Sequence, residues 1–192
     1  MTPHRLYVPV VLGTLAVGGI AFLAAGRTWA ESEVKAEGLA AATVSVSGSD
    51  AQPLVPALAL VVVTTALAIL AAGPRLRRVI GGLTALVAVV GIVVVPRSGS
   101  GRLADALTSA AEKSPAYTGP ASLGDASHGV WDLVTIAAFA AALVLGVLTV
   151  RFGPQWPTMS SRYDAPSARP QKEIRTDTDL WKAMDDGRDP TA

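Results

Sequence analysis

Four long stretches of this chain hold almost nothing that water would solvate. Residues 6–26, 54–73, 79–95 and 131–150 are built mainly from Ala, Val, Leu, Ile and Gly, and the one formal charge among them is Asp132. About 20 apolar residues in a helix span the ~30 Å hydrocarbon core of a bilayer. The expected fold class is therefore an all-α membrane protein with four transmembrane helices. Their hydrophobicity runs all round the helix, which suits lipid rather than a water-facing surface. The third block is short and is closed by Pro96 and Arg97. It spans if the bilayer thins slightly or flanking arginines snorkel. Composition agrees, because 16% of the 192 residues are charged, against about 25% in soluble domains.

The first block is also weighed as a cleaved leader. Its basic lead is only His4 and Arg5, and the apolar run exceeds the usual ~7–15 residues of a signal peptide. Thr28-Trp29-Ala30 offers a weak cleavage site. The block is read as a retained span.

Orientation follows from Lys and Arg in the flanks. Arg5, the Arg75/Arg77/Arg78 group in a five-residue turn 74–78, and the arginines and lysines of the tail lie on one side. That side carries eleven basic residues, against five in the longer loops 27–53 and 96–130. The expectation is a multi-pass protein of the cell (plasma) membrane with both termini cytoplasmic and those two loops outside. Tyr7, Trp29, Trp131 and Trp156 stand near the span ends. They are read as interfacial anchors, with the ring in apolar surroundings and the polar tip wet.

Small residues recur at spacing four, as in Thr64/Ala68/Ala72, Gly81/Ala85, Ala138/Ala142/Gly146 and Ala21/Ala25. Such stripes let helices approach closely in lipid, though an Ala-rich composition also produces them. The short 74–78 turn makes spans two and three antiparallel neighbours, and theirs is the firmest contact expected. Homo-oligomerisation is a further expectation, since four short-looped helices offer limited internal surface.

In the outer loops, Thr43–Ser47 alternates like a short strand, which needs a partner to be stable in water. Arg102–Lys113 places Leu103, Ala106, Leu107 and Ala110 on one helical face. It reads as an amphipathic helix that lies on the outer surface or covers the spans. Asp125, His128 and Asp132 are three and four residues apart. On a helix they would share a face and form a candidate metal or proton-relay triad. The plainer reading gives Asp132 the role of a negative charge in the first turn of span four.

Inside the spans the polar residues read as Thr14, Thr64, Thr65, Thr84 and Thr135, which can bond to carbonyls of their own helices. Buried charges and paired broken helices, the marks of many coupled transporters, are lacking from the pattern. The absence of cysteine excludes disulfides and thiolate sites. A net charge of +1 gives no case for nucleic acid. No phosphate loop, nucleophile arrangement or metal-ligand cluster appears. The expectation is a non-enzymatic protein without a cofactor.

Residues 154–192 form the expected cytoplasmic tail. Its arginines suit an anionic leaflet, and 164–176 are rich in Pro, Ser and charge, a composition of disorder. Thr176 and Asp179 resemble a capping box opening a short amphipathic helix. Leu180, Trp181 and Met184 share one face of it, a candidate docking element for a cytoplasmic or membrane protein partner. The alternative rests that face on the protein's own inner surface.

The run W-P-x-M-x-x-R-Y at 156–163 and the distal L-W-x-A-x-D-x-G-x-D-P-T at 180–191 resemble the actinobacterial family of tryptophan-biosynthesis-associated (tryptophan-operon) membrane proteins. Four spans, a Trp shortly after the first and an Arg-rich turn between the second and third fit as well. Lys182, Met184 and Arg188 depart from the family's commoner choices. The resemblance implies a genomic neighbourhood with tryptophan synthesis and supplies no activity to carry over. Two functions follow as expectations. One is a scaffold whose tail recruits a partner, and the rival is a permease or exporter component for tryptophan, indole or a related metabolite.

Overall fold

A computed structural model describes residues 6–35, 41–97, 99–115, 117, 119 and 123–156. The docking face at Leu180, Trp181 and Met184 lies outside the described residues. Four helices are long and apolar enough to cross a membrane. They are α1 (Tyr7–Ala25), α3 (Leu54–Ala71), α4 (Pro74–Val94) and α6 (Trp131–Phe152). Large side chains such as Leu12, Leu23, Leu67, Leu86, Val93 and Leu133 point outward along them. A helix in lipid presents such a surface, whereas a soluble one keeps it for the core.

The third span is a full helix of 21 residues, about 31 Å long at 1.5 Å per residue, with its arginines in the first turns. The expected five-residue turn at 74–78 is instead the start of α4. Gly73 holds an extended N-cap backbone and Pro74 supplies the first helical residue, where its fixed φ fits and its missing N–H costs nothing. Charge marks the edge of the hydrocarbon, not the end of a helix, so the arginines continue the helix beyond the apolar run.

The four spans form a closed ring in the order α3, α1, α6, α4, with α3 returning to α4. The pair joined by the short link makes the lightest of the four contacts, and α4 against α6 the most extensive. The contact expected between the linked pair is therefore present, although it is not the most extensive. A short link fixes adjacency, but the distance of approach depends on side-chain size. A Cβ on Gly146 would lie 2.8 Å from the Ala85 nitrogen, and one on Gly81 would lie 2.8 Å from the Val150 nitrogen. Gly81, Ala85 and Gly146 thus form the seam, with Ala138 and Ala142 buried along α6. Ala21 and Ala25 are buried on α1, whereas Thr64 and Ala68 on α3 face outward. The Thr64/Ala68 stripe reflects composition.

Thr14, Thr65, Thr84 and Thr135 are buried, and each hydroxyl donates to a carbonyl three or four residues back in its own helix, at 2.7–2.8 Å. Thr149 on α6, which the span reading passes over, does the same to Leu145 O. These hydroxyls therefore need no partner across the bundle.

The two long loops meet at one end of the bundle, here termed the sheet end. Strand β1 (Thr28–Val34) pairs antiparallel with β2 (Ala42–Ser47) and with the two-residue β3 (Ser127–His128). The strand order is β2-β1-β3. A one-turn helix α2 (Gly48–Ala51) follows β2, opened by a capping box between Ser47 and Asp50. Helix α5 (Gly101–Ala111) lies over this sheet and α2. Its Leu103 and Leu107 are buried in one cluster with Trp29, Val46, Val55 and Val95. The expected amphipathic helix therefore covers the end of the spans. Only β2 had a legible pattern. In β1 the inward positions include Ala30 and Ser32, too weakly apolar to signal alternation.

Candidate functional site

At the opposite end, where α1 and α4 begin and α3 and α6 finish, the described residues converge on one buried cation. Arg77 is 2% exposed. Its Nε donates to Ile69 O in the last turn of α3, and its Nη1 donates to Trp156 O beyond α6, both at 3.2 Å. Its guanidinium lies over the Tyr7 ring in the first turn of α1, 5.1 Å from the centroid. One side chain from α4 thus touches the ends of the other three spans.

The chemistry explains the placement. The last carbonyls of a helix lack intrahelical donors and carry the negative end of its dipole. The α3 carboxyl terminus and the chain just past α6 present such carbonyls to Arg77, and a planar guanidinium with five donors can serve both at once. A lysine could not. Gly153, in the 3-10 turn Gly153–Gln155 that follows α6, lets the chain pass over Arg77, because a Cβ there would meet the Arg77 Cβ at 3.2 Å.

Trp156 closes the site. It is 2% exposed and packs edge-on against Tyr7 with ring centroids 5.5 Å apart. Its indole N–H finds no partner among the described residues, so ring packing and the bond to its carbonyl hold it. Trp156 and Tyr7, expected as anchors at the membrane interface, are brought together by Arg77 in an internal cluster with Val10, Val11, Ile69 and Ile80. Sequence reasoning counted Arg77 as one of three topogenic arginines. Arg75 and Arg78 are indeed exposed while Arg77 is buried. Helical phase is the one signal that separates them, and it is usable only once α4 is known to begin at Pro74.

Trp29 differs most from its expected place. It is 1% exposed in β1, its Nε1 donates to Ala24 O at 2.9 Å, and its ring fills the space over Gly48, where a Cβ would come within 2.3 Å of it. It joins the sheet to the bundle instead of facing headgroups. Trp131 remains 37% exposed at the start of α6, with the Arg27 guanidinium 5.6 Å from its ring centroid.

The Asp125/His128/Asp132 triad does not assemble on a helix. Asp125 and His128 are exposed, the latter in β3, whereas Asp132 is buried in the first turn of α6. Its Oδ1 accepts from Leu133 N at 2.8 Å, which satisfies an otherwise unpaired amide at a helix N-terminus. No group of three metal-ligating side chains converges among the described residues.

These features define a four-span membrane protein with a small sheet-and-helix cap at one end and an arginine-tied opposite end. The family model of tryptophan-associated transmembrane proteins matches residues 11–191, and the chain belongs to that family. No curated protein and no solved structure matches it.

Proposed function

We propose that this chain is a non-enzymatic scaffold of the cell membrane, associated with tryptophan biosynthesis, whose cytoplasmic tail recruits a partner protein. The observation that carries the reading is the Arg77 tie. It fixes the ends of all four spans and grips Trp156, the residue from which the tail departs. The point from which the tail departs is thereby fixed at that end of the bundle. Tethering the Leu180, Trp181 and Met184 face to it raises the effective concentration of that face for a partner at the membrane. The permease reading needs helix ends that part during a cycle, and a shared buried cation opposes that movement.

A photo-reactive residue replacing Trp181 in native membranes tests the proposal. A specific crosslink to another protein, with that protein lost from pull-downs when residues 176–192 are removed, supports recruitment. Identical pull-downs with and without those residues overturn it. A deletion strain with reduced flux of labelled tryptophan or indole would favour the rival.

A further inference from the structure

A cleft of about 720 Å³ lies in the cap, between α5 on one side and the β2–α2 segment on the other. Its size falls in the range of small-molecule sites, about 300–1,000 Å³. The α5 wall arises from helical phase. Arg102, Asp105 and Ser109 follow one another at spacings of three and four, so they share a face, and Lys113 continues the row just past the helix end. Leu103, Leu107 and Ala111 take the opposite face into the core. The facing wall contributes Ser49 and Asp50.

The charge arrangement is specific. Two cations and two carboxylates line one cleft. Asp50 accepts from Ser47 N and Oγ. Arg102, Asp105 and Lys113 make no ion pair among the described residues, where Lys35–Glu33 is the pair formed. Arg102 and Asp105 stand about one helical turn apart, roughly 5–6 Å between Cβ atoms. They offer a donor fork and a carboxylate side by side. A solute bearing only one sign of charge would meet a like charge wherever it met an opposite one. A solute with a carboxylate and an ammonium on adjoining atoms meets two favourable partners. Apart from Ser45, the remaining lining, Val46, Ala51, Pro53, Ala106 and Ala110, is small and aliphatic, with no aromatic ring to stack an aromatic group.

We propose that this cleft is a binding site for a small zwitterionic solute of the α-amino-acid class, with a short aliphatic or hydroxylated side chain. Arg102 takes its carboxylate and Asp105 its ammonium. The site is at the sheet end, opposite the Arg77 tie, and stands independently of the recruitment reading.

The full chain in lipid nanodiscs is titrated with L-alanine and L-serine, beside L-tryptophan, acetate and methylammonium. Saturable binding of alanine or serine is expected, weakened about tenfold or more in Arg102→Gln and in Asp105→Asn, as for loss of one charged hydrogen bond. Both side chains are exposed, so both variants should keep the parent melting temperature, and Arg97→Gln, outside the cleft, should bind as the parent does. No saturable binding of alanine or serine overturns the proposal. So does equal binding of acetate or methylammonium, tighter binding of tryptophan, or unchanged affinity in both cleft variants.

Discussion

Arg77 occupies a position where two electrostatic preferences conflict. A cation in the first turns of α4 faces the positive end of that helix's own dipole. The same cation faces the carbonyl ends of α3 and the α6 extension, whose oxygens at Ile69 and Trp156 it binds at 3.2 Å. Hydrogen bonds to charged groups contribute about 1.5–3 kcal/mol each, against a dipole penalty of about 0.3–1 kcal/mol, so the tie wins. Arg77→Ala should therefore destabilise the purified protein by roughly 3 kcal/mol, twice the low end for a single bond, and lower its melting temperature clearly. Arg77→Lys should recover only part of the loss, since one ammonium lacks the fork that reaches both carbonyls. Equal melting temperatures for parent and alanine variant would remove the clamp from the account.

The elements pack according to where the smallest side chains lie. Helix α4 approaches α6 across Gly81 and Gly146, with backbone atoms of one helix about where a Cβ of the other would be. Gly146→Val forces that seam apart, and overpacking of this kind costs about 1–3 kcal/mol. The outward Ala68 of α3 has the same small-residue spacing but no helix across from it. Ala68→Val should shift stability by under about 0.5 kcal/mol, as surface changes do. Thermal melts of the two variants in the same detergent distinguish seam from composition, and equal effects would contradict the assigned packing. The sequence displayed both stripes, and spacing alone does not say which face a neighbour covers.

Across the whole molecule, the ends of the bundle differ in kind. The sheet end carries the cap formed by β1, β2, β3, α2 and α5, and the other end carries Arg75, Arg78 and Arg151 at the surface. From the excess of Lys and Arg we propose that this second end faces the cytoplasm. The chain has no cysteine, so single cysteines introduced at Ser109 and at Arg78 report the two sides cleanly. A membrane-impermeant maleimide should label position 109 in intact cells and position 78 only after permeabilisation. The reverse pattern would invert the topology, move the tail outside and end the cytoplasmic recruitment reading.

Sequence by itself determined the four spans, the self-bonded threonines and the helix over the outer loop. Each rests on local composition or on a period that one segment carries alone. The family resemblance was equally legible, in the short patterned runs at 156–163 and 180–191. Tertiary structure alone decided which helices pack closest, that Trp29 turns inward over Gly48, that a Ser-containing segment becomes the central strand, and that Arg77 rather than Arg75 or Arg78 ties the bundle. Those outcomes depend on partners distant in the chain. A side chain's burial follows from what lies opposite it, and nothing within its own helix or strand records that.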